Sequence, residues 1–250
     1  ISSAMLDLII PHWPAPHWIK AYTTTRYGGF SQAPFDSLNI GLHVGDDPNC
    51  VMKNRQLLQS SLGLKKQLLW LEQVHGNIVI SADHPTNILA ADAIYSKKEH
   101  TVCAIQTADC LPLLICSVSS YCIAAVHAGW KGLNNGIIEN AILALGCPPR
   151  DLLVWLGPAI GPQAFVVGED VVQAFIEKDH AAQTAFHYIG RNKWQANLYK
   201  LAKQRLHKLE INTVYGGEYC TYTDQKRFFS YRRDHVTGRM LSFIWINPNF

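Results

Sequence analysis

Three segments carry side chains suited to holding a metal: Trp70-Leu-Glu-Gln-Val-His75-Gly, Thr107-Ala-Asp-Cys110-Leu-Pro and Ala125-Val-His127-Ala-Gly-Trp-Lys-Gly. Each puts an imidazole or a thiol at the end of an apolar run, beside a turn. Two imidazoles and one thiolate match the donor sets of catalytic zinc sites, which keep three protein ligands and one open position. Water in that position has its pKa lowered toward ~7, and a thiol that joins the metal loses its proton to do so. The intervals between His75, Cys110 and His127 are long and irregular, unlike the fixed spacing of an HExxH helix. They also suit three separately buried side chains with backbone partners.

Other residues could serve a substrate. Gly129, Gly132 and Gly136 surround Lys131 ahead of a helical run, so backbone N–H groups and one cation could receive an anion there; a plain strand–helix turn has the same composition. Arg26, before Gly28-Gly29, and Asn39, in Ser37-Leu-Asn39-Ile-Gly41, could bond a sugar, base or phosphate, or brace their loops. Asp109, beside the thiolate, is a candidate general acid. His43, in Leu42-His43-Val44-Gly45, is a substrate contact or a fourth ligand that would close the metal site. Phe228-Phe-Ser-Tyr231-Arg-Arg-Asp234 reads either as a pocket wall or as a strand with core aromatics and an Arg–Asp pair.

The elements that position these residues are short. Ile19 to Thr25 reads as a strand, and residues 31–47 as a loop. Asp47-Pro48 opens a helix that runs to about Leu62 and stops at Gly63, a cap followed by proline at the first helical position. Leu68 to Val74 alternates and reads as a strand delivering His75, with Asn77 to Ala82 as its partner. Thr101 to Gln106, Leu111 to Cys116, Tyr121 to Val126 and Leu152 to Leu156 are apolar strands. Ile137, Ile138, Ala141, Ile142 and Leu145 form a helical stripe, and further helices are expected at 168–177 and 196–209. Strands near 213–216, 227–232 and 240–246 complete the chain. Strands and helices mix without strict alternation, so the fold class is α+β, mixed β-sheets flanked by helices, in a single compact domain over 1–250.

Composition agrees with a packed core: 48% of the 250 residues are hydrophobic and 16% charged. A net charge of +3, with no polybasic stripe, argues against nucleic acid and membrane surfaces as partners. No apolar run approaches the roughly 20 residues of a membrane span. Seven cysteines, an odd number without a CxxC pair, read as thiols of a reducing compartment, with Cys103, Cys116, Cys122 and Cys147 buried. With no secretory pattern at the N-terminus, the expected location is cytoplasmic. Met5 reads as the natural start, preceded by a four-residue remnant.

Taken in order, the segments resemble one family closely: the multicopper polyphenol oxidoreductase, or laccase-like, family, described also as zinc-dependent purine nucleoside phosphorylases and including a peptidoglycan-editing factor. The matching blocks are Thr24-Thr-Arg26-Tyr-Gly-Gly, Ser37-Leu-Asn39-Ile-Gly, the three metal segments, Leu156-Gly-Pro-Ala-Ile-Gly-Pro, Cys220-Thr-Tyr-Thr, Phe229-Ser-Tyr-Arg-Arg-Asp and Thr237-Gly-Arg-Met. They span about Pro11 to Ile246. The resemblance implies that His75, Cys110 and His127 are the zinc ligands and catalytic centre. It implies phosphorolysis of adenosine, inosine, guanosine and methylthioadenosine, deamination of adenosine, and a fold shared with certain cysteine-dependent toxin domains. Nucleosides and phosphate are then the partners, and one zinc ion the cofactor. Two departures show: Lys131 stands where the family usually has Arg, and Val166 where an acidic residue is usual. Two alternatives remain. One is a metal-free cysteine hydrolase acting on peptidoglycan precursors, with Cys110 as nucleophile and His127 or His75 as base. The other, weaker, is a copper oxidase, because the chain has 11 His but no HxH pair and three Met.

Overall fold

Apolar runs of four to seven residues between Gly, Pro and Ser breakers become the central strands of two sheets, and shorter or more polar segments supply their edges and a third sheet. In the computed structural model, which describes residues 6–84 and 87–249, the strands in chain order are β1 (Leu8–Ile9), β2 (Ile19–Thr24), β3 (Val79–Ser81), β4 (Ala93–Ser96), β5 (Cys103–Thr107), β6 (Leu111–Ser117), β7 (Ile123–Ala128), β8 (Leu152–Leu156), β9 (Val166–Gly168), β10 (Phe186–Gly190), β11 (Lys193–Ala196), β12 (Val214–Gly216) and β13 (Met240–Ile246). The α-helices are α1 (Pro48–Ser61), α2 (Trp130–Asn134), α3 (Ile137–Leu145), α4 (Glu169–Lys178), α5 (Leu198–Lys208) and α6 (Tyr231–Asp234). Met5 and the residues before it lie outside the described residues.

A six-stranded mixed sheet, in the order β12-β8-β6-β7-β4-β3, faces a four-stranded antiparallel sheet, β1-β2-β13-β5. Strand alternation sorts the side chains. On β6, Leu111, Leu113 and Ile115 face α3, α4 and α5, while Leu114 and Cys116 face the other sheet. On β7, Ala124 and Val126 take the helix side, and Ile123 and Ala125 the space between the sheets. The outer face of the smaller sheet carries Ala104, Leu241, Phe243 and Trp245, packed on Leu38, Ile40 and Leu58 from the 31–47 loop and α1. The layers therefore run helices, sheet, sheet, helix-and-loop, an α+β domain. Among the described residues no helix is long and apolar enough to cross a membrane.

α1 begins where the Asp47-Pro48 pair places it, with the Asp47 side chain accepting from the Asn49 N–H. Two expected strands are absent. Residues 68–74 make a single bridge, Glu72 to Ala90, and β3 pairs in parallel with β4 instead. Gln73 takes the strand's place with its side chain. Its Nε2 donates to the Gln106 carbonyl at 2.7 Å and its Oε1 accepts the Gln106 N–H at 2.7 Å, which closes the free edge of β5. Residues 227–232 are not a strand either. Phe228 and Phe229 are fully buried, and Ser230 then caps α6 by accepting the Arg233 N–H. The sheet β10-β11-β9 has no counterpart in the expected elements. Cys103, Cys116 and Cys122 are buried, whereas Cys147 is only partly so, and all seven thiols are free.

Candidate metal centre

His127 continues the Ile123–Ala125 face of β7, so its ring enters the gap at the end of the two-sheet layer, where it is 3% exposed. Cys110 stands immediately before β6. The residue ahead of it, Asp109, turns the chain with φ of 100°, held there because its carboxylate accepts the Thr221 hydroxyl at 2.7 Å and the Arg232 N–H at 2.6 Å. His75 sits in a loop rather than on a strand, with φ of 60°. One carboxylate ties this loop to the sheet. Asp92, fully buried, accepts the N–H groups of Val74 (3.2 Å), His75 (3.0 Å) and Gly76 (2.8 Å), and also His127 Nδ1 at 2.7 Å. The His127 bond leaves Nε2 as that ring's other nitrogen, the arrangement by which an outer carboxylate orients a metal-binding histidine.

The three donors meet. One ligand atom each from His75, Cys110 and His127 lie within 4.8 Å of one another, with Cys110 Sγ 3.8 Å from His75 Nε2. Bonds of about 2.0 to 2.3 Å to a tetrahedral centre separate such donors by roughly 3.3 to 3.8 Å, which the Cys110–His75 separation meets, and the three together could hold a metal. Among the described residues no further His, Cys, Asp or Glu joins the cluster. Burial alone would push the Cys110 thiol up, but His127 and then His75 beside the sulfur bring it down to about 6. Burial disfavours His127 as a cation, yet Cys110 and Asp92 together push it up to about 9. On Asp92 burial works against the charge and is outweighed by His127 and the backbone N–H groups, so its pKa is lowered. Gly129 is required by the close approach of the chain: a Cβ there would lie 3.0 Å from both Cys110 Sγ and His75 Cδ2.

The cluster lines a cavity of about 740 Å³, together with His43, Arg55, Trp70, Gln106, Thr107, Tyr231 and Arg239. That size is ordinary for a small-molecule site. Of the five substrate candidates, His43 lines this cavity and the other four do not. Arg26 donates to the carbonyls of Asp36 and Gln225 and lies over the Phe229 ring. Asn39 is fully buried and bonds Gly41, Asp46 and the Arg239 N–H. Asp109 is held by Thr221 and Arg232, and Lys131 is exposed beside Trp130. Sequence reasoning missed Asp92, Gln73, Arg55 and Arg239. A signal existed for Asp92, because an acid inside Ala90-Ala-Asp92-Ala-Ile is buried and must be paired.

The profile of the multi-copper polyphenol oxidoreductase laccase family matches residues 20–247. The chain belongs to that family. Its relatives include the purine nucleoside phosphorylase YfiH of Escherichia coli, 47% identical over 243 residues, covering 97% of this chain and all of the relative. A purine nucleoside phosphorylase of Pseudomonas aeruginosa is 48% identical, covering 95% of this chain and 98% of the relative. The crystal structure of a Neisseria meningitidis protein superposes with a TM-score of 0.93 at 43% identity, over 96% of this chain and 99% of that one. YlmD from Geobacillus stearothermophilus does so with a TM-score of 0.85 at 30% identity, over 94% of each chain.

Proposed function

We propose that the protein is a zinc-dependent purine nucleoside phosphorylase acting on adenosine, inosine, guanosine and methylthioadenosine, with adenosine deamination at the same site. The observation that carries this reading is that, among the described residues, the cluster stays three-donor and lines a cavity. Structural zinc sites are four-ligand and closed, and catalytic ones keep a position for a guest. His43, the candidate fourth ligand, lines the cavity without joining the cluster. The relatives named purine nucleoside phosphorylase, matched over nearly their whole length, support the choice of substrate. A thiolate with two imidazoles suits zinc, and the absence of paired histidines disfavours a multicopper oxidase.

His75, Cys110 and His127 would hold the zinc, which when bound would supply a positive centre able to polarise an anionic or carbonyl-type oxygen. The chain's own residues do the rest. Asp92 keeps His127 in one orientation and fastens the His75 loop. Tyr231, on the cavity lining, offers an aromatic ring to a purine. Asp109 has two partners and lies off the lining, where the ionisable side chains besides the triad are His43, Glu72, Tyr231, Arg55 and Arg239. The test is release of hypoxanthine from inosine by metal-loaded protein. Turnover that requires phosphate and disappears in Cys110→Ala is expected; full turnover in that variant, or none in the wild type, would overturn the reading.

A second reading has one observation in its favour. Cys110, His127 and Asp92 line up as a thiol, a base and a carboxylate that orients the base. A cysteine hydrolase acting on peptidoglycan precursors would use them without metal. A chelator would then leave activity intact, and an alkylating reagent would block it at Cys110.

A further inference from the structure

Two guanidiniums on the cavity wall keep N–H donors that no protein group among the described residues takes. Arg55, on α1, donates from Nε to the Ile40 carbonyl at 2.9 Å and stacks on Trp70, its guanidinium carbon 3.6 Å from the ring centroid. Its terminal nitrogens bond nothing among the described residues. Arg239, just before β13, uses Nη1 on the carbonyls of Thr237 and Gly238 and leaves Nε and Nη2 without partners there. Neither guanidinium forms an ion pair among the described residues, and Glu72, the carboxylate on the lining, is exposed and pairs with neither. Burial lowers Arg55 to about 10 and also lowers Arg239, there against the opposing pull of Cys110 and Asp109. His43 is lowered by burial first and then by Arg239 and Arg55, which places all three groups in one another's field. Partly buried guanidiniums that keep unused N–H donors are costly, and a bound oxyanion takes up those donors.

Both stems are held in place in advance. Asn39 Oδ1 accepts the Arg239 N–H and the Gly41 N–H, each at 2.9 Å. Gly41 lets the Arg239 side chain pass, because a Cβ there would lie 2.9 Å from Arg239 Cγ. Asn54, next to Arg55, is fully buried and fastens the same loop through Ser31, Ser37 and Asn39. Fixed donors bind a planar or tetrahedral oxyanion with less entropy to lose. Gln106 and Thr107, also on the lining, each carry a buried side-chain oxygen with no protein partner; of the two, only the Thr107 hydroxyl can donate to an oxyanion.

We propose that Arg55, Arg239 and His43 form an oxyanion subsite on the wall of the metal cavity, and that it binds a phosphate group. The anion site is thus at the 37–43 loop and the start of β13, not at the Gly129–Gly136 turn, where Lys131 does not reach the cavity. The binding stands on the cavity's charge and unused donors alone, and its catalytic consequence rests on the phosphorylase reading. The phosphate could be free or could be an ester on the nucleoside.

The zinc-loaded full chain is titrated with inorganic phosphate, and separately with inosine 5′-monophosphate, by calorimetry or ³¹P line broadening. Arg55→Met and Arg239→Met are compared with the wild type, with zinc content and melting temperature as checks on folding. Each variant weakens phosphate binding about 10- to 100-fold, the loss of a charge-assisted contact. In steady-state phosphorolysis the KM for phosphate rises by a similar factor, while the KM for inosine stays within about 2-fold. If the Met variants fold poorly, Arg55→Lys and Arg239→Lys keep stem and charge and still lose the fork. A monophosphate that binds tighter than phosphate, through the same arginines, supports the subsite and assigns it to an ester. Phosphate binding that is lost in the variants, without any phosphorolysis in the wild type, keeps the subsite and removes the phosphorylase reading. Phosphate binding and KM unchanged in both arginine variants would overturn the proposal and leave that reading standing.

Discussion

Replacing Asp92 by Asn keeps the side chain's shape and removes its charge. Four donors converge on that carboxylate: three backbone N–H groups of the His75 loop and His127 Nδ1, at 2.7 to 3.2 Å. An amide retains one acceptor oxygen and turns its NH₂ toward donors that it cannot satisfy. Hydrogen bonds to a charged group contribute about 1.5 to 3 kcal/mol each, and leaving partners of a buried charge unpaired costs about 3 to 5 kcal/mol. With roughly half the network lost, Asp92→Asn is expected to destabilise the metal-free protein by about 3 to 4 kcal/mol. At about 2 to 4 °C per kcal/mol for a chain of this size, the melting temperature falls by roughly 6 to 16 °C. Zinc affinity, measured by competition with a chromophoric chelator, falls about 10- to 100-fold because His127 loses its orientation. A variant within about 0.5 kcal/mol of wild type, with unchanged zinc affinity, would refute the reasoning. A loss of stability without loss of affinity would refute the orienting role.

Four further outcomes are expected. Gly129→Ala pushes a methyl against Cys110 and His75 and lowers kcat about 10-fold or more, with zinc content measured alongside; activity unchanged from wild type would mean that the cluster yields freely. Gln73→Ala strips two hydrogen bonds from the β5 edge, which costs about 1 to 3 kcal/mol in denaturant unfolding and raises the KM for nucleoside by loosening the His75 loop. Burial pushes the Cys116 thiol up to about 12, so its thiolate appears only as pH rises through that value. Alkylation of the native protein at pH 8, read by mass spectrometry, should spare Cys116 until the protein is unfolded. Chelation should abolish turnover, and added zinc should restore it.

What the sequence conveyed and what it withheld follow from the range of the forces involved. α1 and β13 were legible because their signals are local: a cap with proline at one end, an apolar run at the other. β10 and β11 were missed because their turn, Arg191-Asn192, holds two non-glycine residues at φ of 54°, a conformation usually announced by Asn-Gly or Asp-Gly. The 68–74 segment alternates like a strand, but it pairs through the Gln73 side chain, which no periodicity records. Residue types nominated the triad, but its long, irregular intervals also suited three separately buried side chains, and the family resemblance singled it out. Asp109 and Asn39 stood out for their chemistry, yet the structure uses both as braces. Arg55 and Arg239 reach the cavity from positions 184 residues apart in the chain, and only the packing of α1 on the β13 sheet brings them to the same wall.

The most direct measurement is a metal assay joined to a phosphate-dependence assay on the same preparation. About one zinc per chain, bound by three protein donors, should accompany hypoxanthine release from inosine that starts only when phosphate is added, and Cys110→Ala should lose both. Stoichiometric copper, or inosine cleavage that proceeds unchanged in metal-stripped protein, would contradict the account.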